Sequence, residues 1–368
     1  MKIVVAAAFH NYTGPAITAI TEAIWLKTMG VDVKMAISQK PKGNLAERAK
    51  SAGLQILNVN LYRKRFNPVD SLSDIKMLSS RLQEFDAVIS HHSNDHWIFS
   101  LARGKRRAPI IVREIHRSDE LKRPFTKSIF KKTDGFIVVG ESFGKTLTDR
   151  FSVNPDKILA APLSVDTKKF RPDLDGSTYK KQFNIPVQSP VIGLVSRIKE
   201  NRGHELCVKA AKIVENRVPN VRWAFIGRGE LQKQIENLIM QMGLKEKITI
   251  WGFVGDKLPA AICACDLMLL LSEPSDGGCR AAIEAAACGK PTLAPKVGTL
   301  FDVLEPEKEA FILNKPDPTL LAKRVEELIP NNNLLKSAGA YARTKVEMNC
   351  TEPNRTEKIV DFIKRLTS

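Results

Sequence analysis

Short apolar runs alternate with stretches of helical period along most of the chain. Residues 3–8 form the first run, apolar at every position, and read as a strand buried on both faces. Ile17, Ile20, Ile24 and Thr28 then recur on one face of a helix over 15–28. Further strands are expected at 31–37, 55–59, 87–90, 110–113 and 136–139, with helices between them such as 71–85. There is no internal repeat and no low-complexity segment. Alternation of this kind predicts a mostly parallel sheet covered on both sides. The pattern loosens after Phe151, through Asn154, Pro155, Pro162, Asp166, Pro172 and Gly176, and resumes at Val191. Strands follow at 191–195, 222–226, 248–251, 267–271 and 292–294. Helices are expected at 204–218, 230–242, 258–264, 281–287, 319–328, 334–347 and 354–366. The chain is therefore read as α/β, with two doubly wound domains at 1–165 and 166–353. The helix at about 354–368 packs back onto the first domain in this reading. Two such domains facing each other leave a cleft, the expected place for a ligand.

Composition narrows this little, but charge changes it. With 368 residues, 43% apolar and 26% charged, the chain has an ordinary soluble composition and enough length for two cores. No apolar run approaches the roughly 20 residues of a membrane span. Met1 to Phe9 is a poor signal peptide, because His10, Asn11 and Tyr12 follow the apolar run at once. The net charge is +17, and residues 1–162 hold 26 Lys and Arg against 15 Asp and Glu, so 11 of the excess lie there. An anionic partner of the first half follows, a phospholipid surface, a phosphorylated acceptor or a nucleic acid; a merely soluble basic surface is the plain alternative. The six cysteines, at 207, 263, 265, 279, 288 and 350, lack zinc-type spacing and read as small buried hydrophobes in a reducing cytoplasm.

Candidate chemistry sits where strands give way to helices in the second half. Arg197 and Arg202-Gly203 flank a helix start, where fork-shaped cations and free backbone N–H groups suit a diphosphate. Gly227-Arg228-Gly229 allows close backbone approach. Phe253 and Val254 follow another strand and offer a flat face, with an ordinary core position as the alternative for Phe253. The loop of Pro274, Ser275, Asp276, Gly277, Gly278 and Cys279 then opens a helix of very small side chains interrupted by Glu284. Its Gly-Gly backbone can face an anion, and its two acids can hold two points of a ligand.

Taken in this order, these pieces resemble the C-terminal domain of retaining nucleotide-sugar glycosyltransferases of group 1, the family-four class with the GT-B fold of two Rossmann-like domains. The resemblance rests on Arg197, Arg202-Gly203, Gly227-x-Gly229, Gly252-Phe253-Val254, Asp276-x7-Glu284 and Gly289-Lys290-Pro291, and spans about 191–305. Two positions depart from the family pattern: Arg202 replaces Lys, and Asp276 replaces Glu. The first half matches more loosely, through the segment from Leu163 to Pro172, through His91 or His92, and through Ile115-His116. Of the family's Gly-Gly in the first loop only Gly14 remains.

The resemblance implies a transferase with neither metal nor cofactor, whose donor is a UDP-, GDP- or ADP-linked sugar. Arg197 and Arg202 would stabilise the departing diphosphate, Gly14 would contact it, and Gly227, Phe253 and Val254 would line the nucleotide. Glu284 would hold the ribose, while Asp276, Gly277, Gly278 and Cys279 would hold the sugar. His116 would touch the sugar or the acceptor. The basic half then reads as the seat of a lipid-linked or polysaccharide acceptor, on a cytoplasmic protein peripheral to the inner face of the membrane. Its charges include Arg63-Lys64-Arg65, Arg103 to Arg107 and Lys122 to Lys132, the last interleaved with Phe125, Ile129 and Phe130. Nucleic acid is the weaker partner, since no recognised module accompanies the charge. A scaffold protein with an impaired site, and a phosphorylase or epimerase on the same fold, are the competing readings.

Overall fold

The computed structural model describes all residues except 10, 12–13, 39–42, 62–67, 123–125 and 273–276. The chain divides into two compact units, one of residues 1–163, 275–278 and 352–368, the other of 164–274 and 279–351.

In the first unit the order is β1 (Lys2–Ala7), α1 (Pro15–Thr28), β2 (Asp32–Ser38), α2 (Leu45–Ser51), β3 (Gln55–Val59), α3 (Pro68–Arg81), β4 (Ala87–Ser90), α4 (Ser93–Arg103), β5 (Ile110–Ile115), α5 (Thr126–Phe130), β6 (Gly135–Val138), α6 (Glu141–Phe151) and β7 (Ile158–Ala160). The strands form one parallel sheet in the order β3-β2-β1-β4-β5-β6-β7. β1, β4, β5 and β6 are buried at nearly every position, as a sheet covered on both faces requires, and β5 buries Arg113 and Glu114 among its Ile and Val. Pro15 opens α1, where its missing N–H costs nothing. His92 caps α4 reciprocally with Asp95, its ring accepting from the Asn94 N–H while Asp95 accepts from the His92 N–H.

The second unit contains α7 (Ser177–Gln182), β8 (Val191–Val195), α8 (His204–Val214), β9 (Arg222–Ile226), α9 (Gln232–Gln241), β10 (Ile248–Gly252), α10 (Leu258–Cys263), β11 (Leu267–Leu269), α11 (Arg280–Ala287), β12 (Thr292–Ala294), α12 (Leu300–Val303), β13 (Ala310–Ile312), α13 (Pro318–Leu328) and α14 (Asn332–Asn349). Its parallel sheet runs β10-β9-β8-β11-β12-β13. One face packs on α8, α9 and α13 around Trp223 and Phe225, the other on α10, α11 and α14. The last helix, α15 (Glu352–Thr367), returns to the first unit, where its Phe362 and Leu366 fill the space that a side chain at Gly135 would need.

The three-residue strands β7 and β13 escape the hydrophobic pattern because each is too short to show a period and lies at a sheet edge. The residues of β7 fall in the stretch that reads as a linker. Five of the six cysteines are buried, Cys263 is half-buried, and none of the six forms a disulfide.

α11 and α14 approach unusually closely, since a Cβ at Gly339 would overlap the Gly289 carbonyl oxygen. Gly339→Ala is expected to cost about 1–3 kcal/mol through overpacking, although alanine is the better helix former. Urea unfolding measures it; an unchanged or raised midpoint would mean that the helices have room to separate.

Candidate functional site

In the second sheet β8 pairs with β9 on one side and β11 on the other, so the connections leaving them diverge at its carboxyl edge. Ligands of open parallel sheets bind at such a divergence. The loop after β8 carries Arg197, which is exposed, with Nη2 3.5 Å from Glu230 Oε2. It ends at half-buried Arg202 and at Gly203, whose φ of 88° starts α8 in a conformation that suits glycine. The loop after β9 lies directly on the loop after β8: Ser196 donates its N–H to the Ile226 carbonyl at 3.1 Å, and Ile198 to the Arg228 carbonyl at 3.3 Å. A Cβ at Gly227 or Gly229 would overlap the Ser196 or Ile198 carbonyl. The Gly-x-Gly therefore serves loop-on-loop packing, and through it sets where Arg197 stands.

After β10 the two aromatics of the Trp-Gly-Phe stretch part company. Trp251 is core, stacked against Tyr179 and Phe183 at 5.1 and 5.3 Å. Phe253 is 69% exposed, with the Arg228 guanidinium 5.2 Å from its ring centroid. The core alternative for Phe253 is thereby excluded. Val254 is half-buried beside it. Cys279 begins α11 at φ 56°, buried, its thiol 3.6 Å from the Val297 carbonyl. Ala282 and Ala285 to Ala287 face the core, and Glu284 is half-buried on the same helix. The other end of α11 is held by Arg343 of α14, which donates to the carbonyls of Ala287, Phe170 (2.6 Å) and Thr167 (3.2 Å).

Gly277 and Gly278 group with the first unit. A Cβ at Gly277 would overlap the His116 carbonyl oxygen, and one at Gly278 would overlap Leu163, so this Gly-Gly pair exists to let the loop lie against those residues. Gly277 also has φ 59°. Asp276, with Pro274 and Ser275, lies outside the described residues.

At the carboxyl edge of the first sheet, Gly14 starts α1 with φ 51° and open space around it. His91 follows β4 and His116 follows β5, and both side chains are fully buried. Of the two candidates after β4, His91 joins His116, while His92 serves as a helix cap. His91 Nδ1 lies 3.1 Å from His116 Nε2, and His91 Nε2 lies 3.3 Å from Glu22 Oε1. Arg355 of α15 completes the group, donating from Nη1 to Glu22 Oε2 and from Nη2 to Glu114 Oε1, each at 2.7 Å. His91, Glu114 and His116 bring possible ligand atoms within 4.8 Å of one another, but the Arg355 guanidinium already supplies the positive charge beside Glu114. The arrangement is an ion-paired network.

One family model, "Glycosyl transferases group 1", matches residues 175–345, and a second, "Glycosyltransferase Family 4", matches 12–169. The chain belongs to the group 1 glycosyltransferases. Its fold is GT-B. This group 1 glycosyltransferase superposes on a glycosyltransferase from Rickettsia africae ESF-5 with a TM-score of 0.83 at 19% identity, covering 99% of this chain and 98% of that one. A structure of Anabaena Alr3699/HepE in complex with UDP and glucose gives 0.80 at 16% identity, with 99% of each chain covered. Among curated relatives, a GDP-mannose-dependent alpha-(1-6)-phosphatidylinositol monomannoside mannosyltransferase of Mycolicibacterium smegmatis is 22% identical over 189 residues, 50% of this chain and 50% of its own length. The chain spans about half the length of the curated relatives it matches.

Burial disfavours charge throughout the network, and the ion pairs decide where charge persists. Burial pushes the Glu22 carboxyl up, but His91 and Arg355 together bring it from 4.5 down to about 2. Burial lowers His91, yet Glu114 and Glu22 raise it above its ordinary value. His116 is held well below its ordinary value, by burial first, with the charges of His91, Arg113 and Arg355 adding to it. Burial raises the Asp95 carboxyl to about 7, against Arg113 and the N–H bonds of Ala8 and His92. Glu22, Glu114 and Arg355 carry no motif and lie up to 333 residues apart, so no local pattern points to them.

The basic surface of this group 1 glycosyltransferase is less uniform than its sequence. Arg103 is buried and pairs with Asp134, and Arg106 donates to the Ser79 carbonyl at 2.8 Å. Lys105, Arg107, Lys127, Lys131 and Lys132 are exposed, while Ile129 and Phe130 are core and offer nothing to a membrane. Trp97 and Leu101 of α4 are the exposed apolar side chains nearby in sequence. Arg63-Lys64-Arg65 and the stretch of Arg123, Pro124 and Phe125 lie outside the described residues. Among the described residues no helix is long and apolar enough to cross a membrane.

Because Glu22 has a folded value of about 2 against 4.5, its pairing stabilises the protein above pH 4.5 and is lost as pH falls toward 2. Glu22→Gln is expected to be less stable than wild type at pH 6 and to show a shallower fall in Tm between pH 4.5 and 3. Parallel Tm curves for the two proteins would remove Glu22 from the acid response.

Proposed function

We propose that the protein transfers a sugar from a nucleotide-diphosphate donor to a lipid-linked or polysaccharide acceptor, with retention of anomeric configuration and without a metal. The observation that carries this reading is the convergence of Arg197, Arg202, exposed Phe253 and the Glu284 helix on the carboxyl edge of adjacent strands β8, β9, β10 and β11. Phe253 offers a face to the base, Glu284 accepts the ribose hydroxyls, and the two arginines neutralise charge developing on the departing diphosphate. In other transferases a divalent ion supplies that charge. Asp276 and the backbone at Gly277 to Cys279 take the sugar, and Gly14 adds backbone contact to the diphosphate. His116 is placed near the sugar by the resemblance alone, since its ring is fully buried with Nδ1 3.5 Å from Glu114 Oε1. Retention then follows from attack on the face from which the diphosphate leaves, with its oxygen as base, and requires no protein nucleophile. UDP in the Anabaena complex supports the donor class. GDP-mannose and phosphatidylinositol monomannoside, in the name of the Mycolicibacterium relative, support the donor and acceptor classes together. The exposed lysines support a peripheral position on an anionic cytoplasmic leaflet, at roughly 1 kcal/mol for each charge near the surface.

Thermal-shift screening with UDP, GDP and ADP and their sugars tests the donor site, and no shift with any of them would overturn it. Glu284→Ala is expected to lose most activity and nucleotide affinity, whereas Asp276→Ala mainly lowers kcat. Equal small effects would mean that the site lies elsewhere. Phe253→Ala is expected to weaken nucleotide binding by about 1–3 kcal/mol, the range of base–aromatic stacking, with little change in Tm. EDTA is expected to leave donor hydrolysis unchanged, and a rate restored only by added Mg²⁺ would refute the metal-free mechanism.

A further inference from the structure

Cys263 ends α10 and Cys288 follows the last residue of α11, and the fold brings the two together. The Cys288 thiol lies 3.9 Å from the carbonyl of Pro259, one turn before Cys263 on the same helix. Cys263 donates to the Arg171 carbonyl at 3.3 Å, and a Cβ at Gly289 would meet Pro172, so one short segment covers both cysteines. The two thiols are hydrogen-bonded to each other. Cys288 is fully buried and Cys263 half-buried, so the pair meets solvent through Cys263. Cys265, two residues on, is packed against the sheet instead: a Cβ at Gly193 of β8 would overlap its sulfur, and burial pushes its thiol up to about 12.

The hydrogen bond from Cys288 brings the Cys263 thiol below its ordinary value, with Lys290 and the Leu174 N–H adding to it against burial and Asp173. The same bond first, then burial, raises Cys288. Cys263 is thus the sulfur that loses its proton and meets an oxidant, and Cys288 is the thiol held beside it. A half-exposed thiolate in contact with a second thiol is the arrangement in which oxidation ends in a disulfide.

We propose that Cys263 and Cys288 are a redox modification site, at which a hydroperoxide converts the reduced pair into a disulfide joining α10 to the end of α11. Cys263 sulfur takes the distal oxygen of the hydroperoxide: an S–O bond forms, the O–O bond breaks, and the remaining oxygen leaves with a solvent proton as water or an alcohol. Cys288 sulfur then attacks the Cys263 sulfenic acid. The S–S bond forms, the S–O bond breaks, and hydroxide departs as water with the Cys288 proton. Two thiols lose two electrons and the peroxide gains them. The end of α11 has little room to move, because the Gly289 carbonyl lies against Gly339 of α14 and Arg343 holds the Ala287 carbonyl. α10 is joined to β10 by residues 253–257, which include Phe253 and Val254. Drawing α10 toward Cys288 therefore moves the aromatic face offered to the base. This consequence rests on the nucleotide reading given above; the disulfide itself does not.

The test treats the reduced protein with hydrogen peroxide, alkylates it under denaturing conditions and maps its peptides by mass spectrometry. The expected product is a single crosslink, Cys263 to Cys288, reversed by dithiothreitol, with Cys207, Cys265, Cys279 and Cys350 alkylated. Cys288→Ser is expected to leave Cys263 as a sulfenic acid that dimedone captures, and Cys263→Ala to abolish both crosslink and capture. Peroxide that oxidises Cys263 without crosslinking it in the unaltered protein, or that reacts first at another cysteine, overturns the proposal with no variant needed. Binding of UDP, GDP and ADP then reads the coupling. Oxidation is expected to weaken the nucleotide that binds by about fivefold, with dithiothreitol restoring it and Cys263→Ala insensitive. A crosslink with unchanged affinity overturns the link through α10. No binding of any nucleotide by the reduced protein overturns the donor reading, while the peptide map still decides the disulfide.

Discussion

A single guanidinium between two buried carboxylates governs the first unit. Arg355 ties the last helix to α1 and to β5 at once, through bonds of 2.7 Å to Glu22 and Glu114. Such pairing matters because an unpaired charge in that interior costs more than most contacts around it contribute, and Glu22 is held low by His91 first and Arg355 with it. The two carboxylates in turn raise the proton affinity of His91, while burial first lowers that of His116. Placement of α15 and the low value of Glu22 thus share one guanidinium.

The second unit is governed by backbone proximity instead of charge. Glycines at 227, 229 and 339 each face a carbonyl oxygen that a Cβ would overlap, so loops and helices lie closer than side chains would permit. That closeness fixes the exits of β8 and β9 and seats α11 against α14. Arg343 then fastens the end of α11 to the carbonyls at Ala287, Phe170 and Thr167. The polar groups offered to a ligand are consequently carried on elements with little freedom, which suits a site that works by preorganised charge. Phe253 is the exception in form, an exposed ring with the Arg228 guanidinium over it.

The two halves of the candidate machinery were not equally visible in the chain. In the second unit the chemistry-bearing residues sit beside their own strands, so period and loop composition expose them: Arg197 after β8, Gly227 after β9, Phe253 after β10, Glu284 on the helix after β11. In the first unit the decisive partners are single residues on separate elements. His116 was nameable as a histidine after a strand, but Glu22 reads as an ordinary acid on an amphipathic helix and Arg355 as one charge among many near the end. The basic character of the first half misleads in the same way. Summed charge does not distinguish Arg103, buried against Asp134, from exposed Lys131, nor show that Ile129 and Phe130 belong to the core.

The sequence by itself determined the alternation of strands and helices, the parallel character of both sheets and the loops that carry the anion-facing groups. These follow from local period and from residues whose backbone needs are local. Only the tertiary structure decided which glycines separate backbones and which merely turn the chain, which aromatic of the Trp251–Phe253 stretch faces outward, and which histidine of the buried pair has its proton affinity raised. Each of those depends on a group far away in the chain coming within a few ångströms. The physical reason is that desolvation and overlap act through space, and residue order carries no record of distance across a sheet.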